Sequence, residues 1–402
     1  MHSLYYLERY RNQGTRTYSK HAAYTEAEVR YRPDADTPPF FLDVFRMPLN
    51  TLSVYTANPS AALASLYLAA DTGLLCIHPQ VSGQVTDDPC LRRIRESGTP
   101  EAGILVTPSA STRTLYVQHP LPHALKVHFP FQISRYGRKM RAEVIEQAVA
   151  VSLDLEQGLH CFDKDFSYLR EVIGIACLEP DVRAGRGENW GYIVRDMTPF
   201  PCVAPDRDLV PGFALYGRDF FDPNQPPLLF ELMGDADPQV FILNKIMLPI
   251  VRHWVACYRN FGYMLEPHGQ NTLLEVGRDG SITRIVHRDL SLGINMGLRA
   301  DLGLLSEHLN RYNRMADGVF ASITYDMFMG NHFFDRIVSC CLEQVHDLSV
   351  EDFRAPCRAL FAELFPEHRA YMPDTVHYFS EQRDRFNKPF YQDTGMRPVW
   401  RP

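Results

Sequence analysis

Residues 266–289 read EPHGQNTLLEVGRDGSITRIVHRD. Two short runs, Thr272–Val276 and Ile282–His287, are rich in β-branched and apolar residues. They flank a turn that contains Asp279-Gly280, so the stretch predicts a β-hairpin. In a hairpin, the residues before the first strand meet those after the second. Asn271 and Asp289 are therefore expected side by side, with His268 and Arg288 close to them. An amide oxygen and a carboxylate at one end of a rigid hairpin could hold Mg²⁺, which prefers hard oxygen ligands and takes only one or two from protein when phosphates supply the rest. The alternative is a polar cluster that caps the hairpin.

Working outward, residues 107–139 form a second constellation, TPSASTRTLYVQHPLPHALKVHFPFQISRYGRK. Gly103–Thr107 and Thr114–Gln118 read as strands. In Ala124–Phe131, the residues Leu125, Val127, Phe129 and Phe131 alternate with Lys126 and His128, which predicts a half-buried strand with Lys126 facing away from the apolar side. Ser111, Arg113, Lys126, Arg135 and Arg138 fall within this short region. Simple alternation would put Arg113 on the Leu115/Val117 face, so either it sits beyond the strand end or the strand register differs from this reading. A helix is predicted over about 138–157, with Met140, Val144, Ala148, Val151 and Leu155 on one face and Gly158 as its stop. That places Arg138 at the helix start, where free N–H groups favour anions. A pocket for polyphosphate or polycarboxylate and a solvated basic face both fit the pattern.

The rest of the chain is mixed and then helical. A helical Ala/Leu run covers 58–70, and strands are expected at Gly191–Arg195 and Phe213–Tyr216. A helix is predicted at about 239–261, opened by Asp237-Pro238 and kinked at Pro249. Further helices are predicted at 298–345 and 350–365. Mixed elements followed by helices predict an α+β protein with two lobes and a boundary near 232–238.

Composition narrows the class. The chain has 402 residues, 45% hydrophobic and 22% charged, with a net charge of −7. These values disfavour long disorder, a coiled coil and a general nucleic-acid binder. No window of eighteen residues is free of charge and turn residues, so no membrane span is expected. The first fourteen residues, MHSLYYLERYRNQG, lack the apolar region of a secretory signal. Nine cysteines, none in a C-x-x-C spacing, disfavour a zinc ribbon, a redox motif and a disulfide framework, and are expected as reduced cytoplasmic thiols. Cys340-Cys341 falls in a helical pattern and reads as core. His119 and His123 flank two prolines in HPLPH and read as a turn, not a metal site. Six lysines (Lys20, Lys126, Lys139, Lys164, Lys245, Lys388) stand against 35 arginines. That excess suits a site for anionic ligands, and equally a genomic codon bias. HRDLSLGIN at 287–295 resembles a kinase catalytic loop, but its Asp–Asn spacing differs and no D-F-G follows. The parallel is positional: in kinases a metal-binding Asn leads into a hairpin that ends in a metal-binding Asp.

Taken in order, these motifs resemble the IucA/IucC family, the NRPS-independent siderophore (NIS) synthetases. Ser111-Thr112-Arg113-Thr114 matches its S-x-R-T motif, followed by Lys126 and Arg138. Glu266-Pro267-His268-Gly269-Gln270-Asn271 matches E-x-H-x-Q-N, and Arg288-Asp289 matches the R-D after its hairpin. Ile77-His78-Pro79, GYIVRD at 191–196 and Gly330-Asn331-His332 are lesser echoes. The resemblance covers about residues 30–345. It implies a cupped-hand architecture, with antiparallel-sheet fingers over 36–235 and a mostly helical, distantly kinase-like palm over 236–402. It also implies an ATP- and Mg²⁺-dependent cytoplasmic ligase. A carboxylate, often of citrate, is adenylated and then joined to an amine or hydroxyl as an amide or ester. Carried over residue by residue, Arg113, Lys126, Arg138 and His268 would act on the substrates. Ser111, Thr114, Gln270, Asn271 and Arg288 would hold the nucleotide, Asn271 and Asp289 would hold the metal, and Glu266 would support the loop. A homodimer or a partner synthetase is the candidate assembly. The family's N-terminal G-H-P-x-H-P-x-x-K motif is not found; the nearest stretch is Gly14–Lys20, so 1–35 is expected to be a remnant of the thumb. A degenerate relative that binds a carboxylate or regulates a full-length synthetase is the alternative.

Overall fold

The computed structural model describes residues 3–12, 24–33, 36–134, 136–178, 190–203, 207–304, 309, 314–315, 317–383 and 389–402. In chain order the first half contains α1 (Leu4–Tyr10), β1 (Phe40–Pro48), β2 (Leu52–Thr56), α2 (Ala61–Tyr67), β3 (Thr72–Ile77), α3 (Pro79–Gln84), α4 (Pro89–Ser97), β4 (Thr99–Pro108), β5 (Thr114–Val117), β6 (His123–Val127), β7 (Phe129–Ile133), β8 (Tyr136–Arg138), α5 (Ala142–Gln157), β9 (Phe166–Tyr168), β10 (Glu171–Cys177) and β11 (Gly191–Asp196). Eight of these strands form one sheet in the order β2-β10-β11-β6-β5-β4-β1-β3, every pair antiparallel.

The second half begins with β12 (Asp208–Pro211) and α6 (Leu228–Met233). A long helix follows, made of α7 (Pro238–Ile242), a π-helical turn (Leu243–Met247) and α8 (Leu248–Phe261). Then come β13 (Tyr263–Met264), β14 (Thr272–Val276), β15 (Ile282–His287), β16 (Gly293–Asn295), α9 (Met296–Asp301), β17 (Arg314–Met315), α10 (Val319–Ser322), a π-helical stretch (Ile323–Phe334), α11 (Asp335–Leu342), α12 (Glu351–Leu364), β18 (His377–Arg383) and β19 (Pro389–Asp393). The expected α+β class is what folds. A four-stranded sheet, β12-β14-β15-β9, carries the hairpin, and β9 joins it in parallel from the first half of the chain.

Three apolar clusters position the site. One fills a face of the large sheet with Leu115, Leu125, Val127, Tyr192 and Val194. The largest fills the helical half around Trp254, Tyr258 and Tyr325. A third, small one joins them: Tyr116 and Ala124 of the large sheet meet Leu273 and Val286 of the hairpin. On the other face of the large sheet, α5 packs onto β10 and β11, where Gly174 and Gly191 leave no room for a Cβ against Ile145. The α7–α8 helix is apolar and long enough to cross a membrane, yet most of it lies inside the protein core. Cys340, Cys341 and Cys357 are buried, as core cysteines should be.

Several expectations change. The strand read over 124–131 is interrupted at His128, giving β6 and β7. All five residues of β6 are buried rather than half of them, because the face that alternation marks as polar is covered by the other half of the chain. Residues 213–216 form a short 3-10 helix (Gly212–Leu215), not a strand; the Phe213 N–H is drawn to the Gly269 carbonyl at 3.0 Å. The helix read from 138 starts at Ala142 after an Arg141 N-cap. Pro249 does not simply kink its helix: the π-turn just before it widens the ladder, and Leu248 N–H reaches back to the Leu243 carbonyl. The stretch 298–345 is not continuous helix, since α9 ends at Asp301 and β17 intervenes. The α12 helix fits the expected 350–365.

Candidate functional site

The hairpin forms with the boundaries its sequence predicts, and Thr272 lies opposite His287. A buried ion pair between Glu275 and Arg284 (2.6 Å), facing across the two strands, locks the register. At the base of the hairpin the Arg288 N–H donates to the Asn271 carbonyl at 3.0 Å, so the E-x-H-x-Q-N loop and the R-D step meet as expected. The His268 carbonyl accepts the N–H groups of Asn271 and Thr272, which curls the loop. Gly269 is required there, because a Cβ would sit 2.6 Å from the Tyr216 hydroxyl and 3.0 Å from the Phe213 nitrogen.

The S-x-R-T turn lies just before β5. Ser111 Oγ accepts the Thr114 N–H at 3.1 Å, so it braces the turn, and Thr114 is buried. Arg113 lies beyond the strand end, the first of the two expected placements. Its guanidinium donates to the Arg138 carbonyl at 3.0 Å and approaches the Met140 sulfur at 2.9 Å. Thr112 holds φ at +68° and Asp289 at +71°. Left-handed backbone is costly for a β-branched threonine and uncommon for aspartate, so both motifs keep one strained residue.

Lys126 points away from Leu125 and Val127, as alternation predicted, but it does not reach open water. It crosses to the other half of the chain and makes a short ion pair with Asp289. The lysine side chain is 4% exposed and the aspartate's 33%, so one edge of the carboxylate remains open. Burial lowers the Lys126 pKa, and Asp289 works against that shift. Burial would raise Asp289, but Lys126 and then Arg195 overcome it and hold the carboxyl well below the usual range. Arg195 is itself fixed by a 2.6 Å ion pair to Glu171. Sequence reading missed this Arg195–Glu171 pair, although GYIVRD carries the arginine.

His268 is a neutral imidazole. Burial pushes its pKa down to about 4, with Arg288 and Arg138 adding to the fall and Asp289 resisting it. Its Nδ1 accepts the Gln270 N–H at 3.2 Å, which leaves Nε2 as the protonated donor. Its ring meets the Phe328 ring edge-on at 5.6 Å. Glu266 lies beside Asp289. Burial and then Asp289 push its carboxyl up to about 8, against the pull of Lys126 and Arg138. Asp289 and Arg138 thus act on both His268 and Glu266, and Lys126 acts on Glu266 and Asp289.

Arg138 is placed differently from its pattern reading, and Arg288 has partners the sequence does not mark. Arg138 lies in β8, opposite Phe129, and not at a helix N-terminus, so no helix dipole supports it. Arg288 turns inward. Its guanidinium donates to the Gln270 carbonyl (2.7 Å) and Tyr116 hydroxyl (3.1 Å) and pairs with Glu8 (2.6 Å). Glu8 is a third residue that no motif marks. Gln270 contributes main-chain groups to these contacts. Arg135 and Gly14–Lys20 lie outside the described residues. Among the described residues, no group of three or more His, Cys, Asp or Glu side chains is arranged to hold a metal. Asn271 and Asp289, brought to one end of the hairpin by the Arg288 N–H to Asn271 carbonyl contact, carry oxygen donors of the kind that could hold Mg²⁺ when phosphates complete its shell.

Residues 57–217 match the model of the IucA / IucC family, so the resemblance read from the motifs is borne out over that segment. No curated protein sequence matches the chain. Among solved structures, the petrobactin biosynthesis protein AsbB of Bacillus anthracis strain Sterne superposes with a TM-score of 0.69 at 14% identity, covering 99% of this chain and 75% of that one. ATP-bound aerobactin synthetase IucA from a hypervirulent pathotype of Klebsiella pneumoniae gives 0.67 at 13%, covering 94% and 75%. Aerobactin synthetase IucC from the same source gives 0.64 at 16%, covering 88% and 66%. The α+β fold with its antiparallel sheet is therefore shared with these solved proteins.

Proposed function

We propose that the protein is an ATP-dependent ligase in siderophore-like biosynthesis. It would adenylate a carboxylate, citrate or a related di- or tricarboxylate, and condense it with an amine or hydroxyl. The observation that carries this reading is the meeting of Lys126 and Asp289 across the seam between the large sheet and the hairpin. Arg113, Arg138 and His268 lie around that pair. The family match over 57–217 and the ATP-bound neighbour support it.

The chemistry asks for fixed positive charge beside a phosphate. When a carboxylate attacks the α-phosphate, negative charge gathers on the phosphate oxygens, and prepositioned cations stabilise it without reorganising. Lys126 and Arg113 sit at the sheet end to do this, while Arg138 lies near enough to His268 and Glu266 to hold the second anion, the carboxylate substrate. Neutral His268 offers an N–H donor that adds no charge. Asp289 and Asn271 would hold Mg²⁺, which when bound neutralises phosphate charge. Burial of Lys126 excludes water, which strengthens each of these contacts and protects a reactive acyl phosphate anhydride from hydrolysis.

The test is incubation with ATP, Mg²⁺, a panel of di- and tricarboxylates, and hydroxylamine. Pyrophosphate and a hydroxamate should form with at least one acid. Ligand-induced thermal stabilisation without pyrophosphate across the whole panel would replace the ligase by a non-catalytic carboxylate binder.

A further inference from the structure

Glu8 lies on α1, more than a hundred residues in sequence from both of its side-chain partners, and is fully buried. One carboxylate oxygen accepts the Ala110 N–H at 2.8 Å, inside the turn that leads to Ser111 and Arg113. The other pairs with Arg288 at 2.6 Å, immediately before Asp289. The same arginine reaches Tyr116 of β5 and the Gln270 carbonyl. The rest of α1 is clamped on both sides: Tyr6 donates to Asp219 (2.9 Å), Arg9 to the Thr37 carbonyl (2.7 Å), and the Tyr5 ring packs on Tyr116. A fully buried carboxylate is unfavourable unless paired and hydrogen-bonded, and here its two oxygens are divided between the two halves of the site.

We infer that Glu8 is a positioning residue that sets the S-x-R-T turn and the Arg288-Asp289 step at a fixed separation, so that Arg113 and Lys126 face Asp289 at the distance phosphate binding needs. Its functional consequence rests on the ligase reading, but the positioning itself does not. Two strained residues, Thr112 and Asp289, flank the two ends of the link, and such backbone persists only when neighbouring contacts hold it. Alternation and spacing cannot show this link, because its partners are joined only in the folded chain.

Hydrogen exchange on the full chain tests it without substrate. Glu8→Ala should speed amide exchange about tenfold in both 109–114 and 286–290, while the hairpin strand 272–276 stays protected. Glu8→Gln keeps an acceptor for the Ala110 N–H, so only 286–290 should loosen. Leu7→Ala, a core substitution on the same helix, is the control for general destabilisation. Where the ligase assay gives turnover, Glu8→Gln should lower kcat/KM for ATP by about a hundredfold, as a misplacement of an ångström does, and Leu7→Ala should cost less than about threefold. Equal exchange in wild type and Glu8→Ala, or the same changes in Leu7→Ala, would overturn the inference. Wild-type protein that shows the exchange pattern but no turnover would instead overturn the ligase reading and leave Glu8 in its positioning role.

Discussion

Two of the buried acid–base pairs are built in opposite ways. Near the C-terminus, Asp326 and Arg401 are both almost fully buried and richly bonded: Arg401 contacts both carboxylate oxygens and the Pro373 carbonyl, and Ser322 adds a hydroxyl. Beside them, Trp400 fills the space that Gly330 leaves open in the π-helical stretch. At the seam, Asp289 has Lys126 on one side, a third of its side chain exposed and a strained backbone. The first pair is closed and complete, so it reads as a fastening. The second is left partly exposed. A buried ion pair by itself says little about role; the exposure of Asp289 is what separates the two.

The largest expected effect breaks the open pair. Asp289→Asn should lower ATP-dependent turnover at least about a thousandfold, measured as pyrophosphate release, because it removes the charge that would hold the metal. Next, Arg401→Met should cost about 3 kcal/mol of stability in urea unfolding by leaving Asp326 buried and unpaired, with turnover per folded molecule almost unchanged. If it instead abolished turnover, the contrast between the two pairs would fail. Lys126→Met should reduce turnover about a hundredfold, as loss of one fixed phosphate contact does. The smallest effect lies outside both pairs. Burial holds His78 and His128 neutral, with pKa values down to about 3, and nearby arginine or lysine charge adds to the fall. The unfolded chain binds protons on these rings below its ordinary histidine pKa of 6.5, so stability should be lost as pH falls from there toward about 3. His78→Phe should flatten that acid slope by about 2 kcal/mol, read from urea midpoints across this range.

The hairpin was legible because strand periodicity and an Asp-Gly turn are local signals, and the pairing of Asn271 with Arg288-Asp289 follows from hairpin geometry. Lys126 was legible for the same reason, since alternation gives the face. What covers that face was not legible: its burial depends on Leu273 and Val286, which lie about 150 residues away. Arg138 was misplaced because the apolar helical pattern runs back to Met140, while the pairing of β7 with β8 delays the helix start. Glu8 carries no local mark, since Ala110 and Arg288 reach it only in the folded chain, whereas Glu171 and Arg195 meet as cross-strand neighbours in the large sheet.

The most direct test of the seam is the nucleotide product, separated by anion-exchange chromatography after incubation with ATP, Mg²⁺, citrate and hydroxylamine. An adenylating Lys126–Asp289 site gives AMP and pyrophosphate in equal amounts with wild-type protein, and neither with Asp289→Asn. Release of ADP and phosphate, or AMP formation that survives Asp289→Asn, would contradict it.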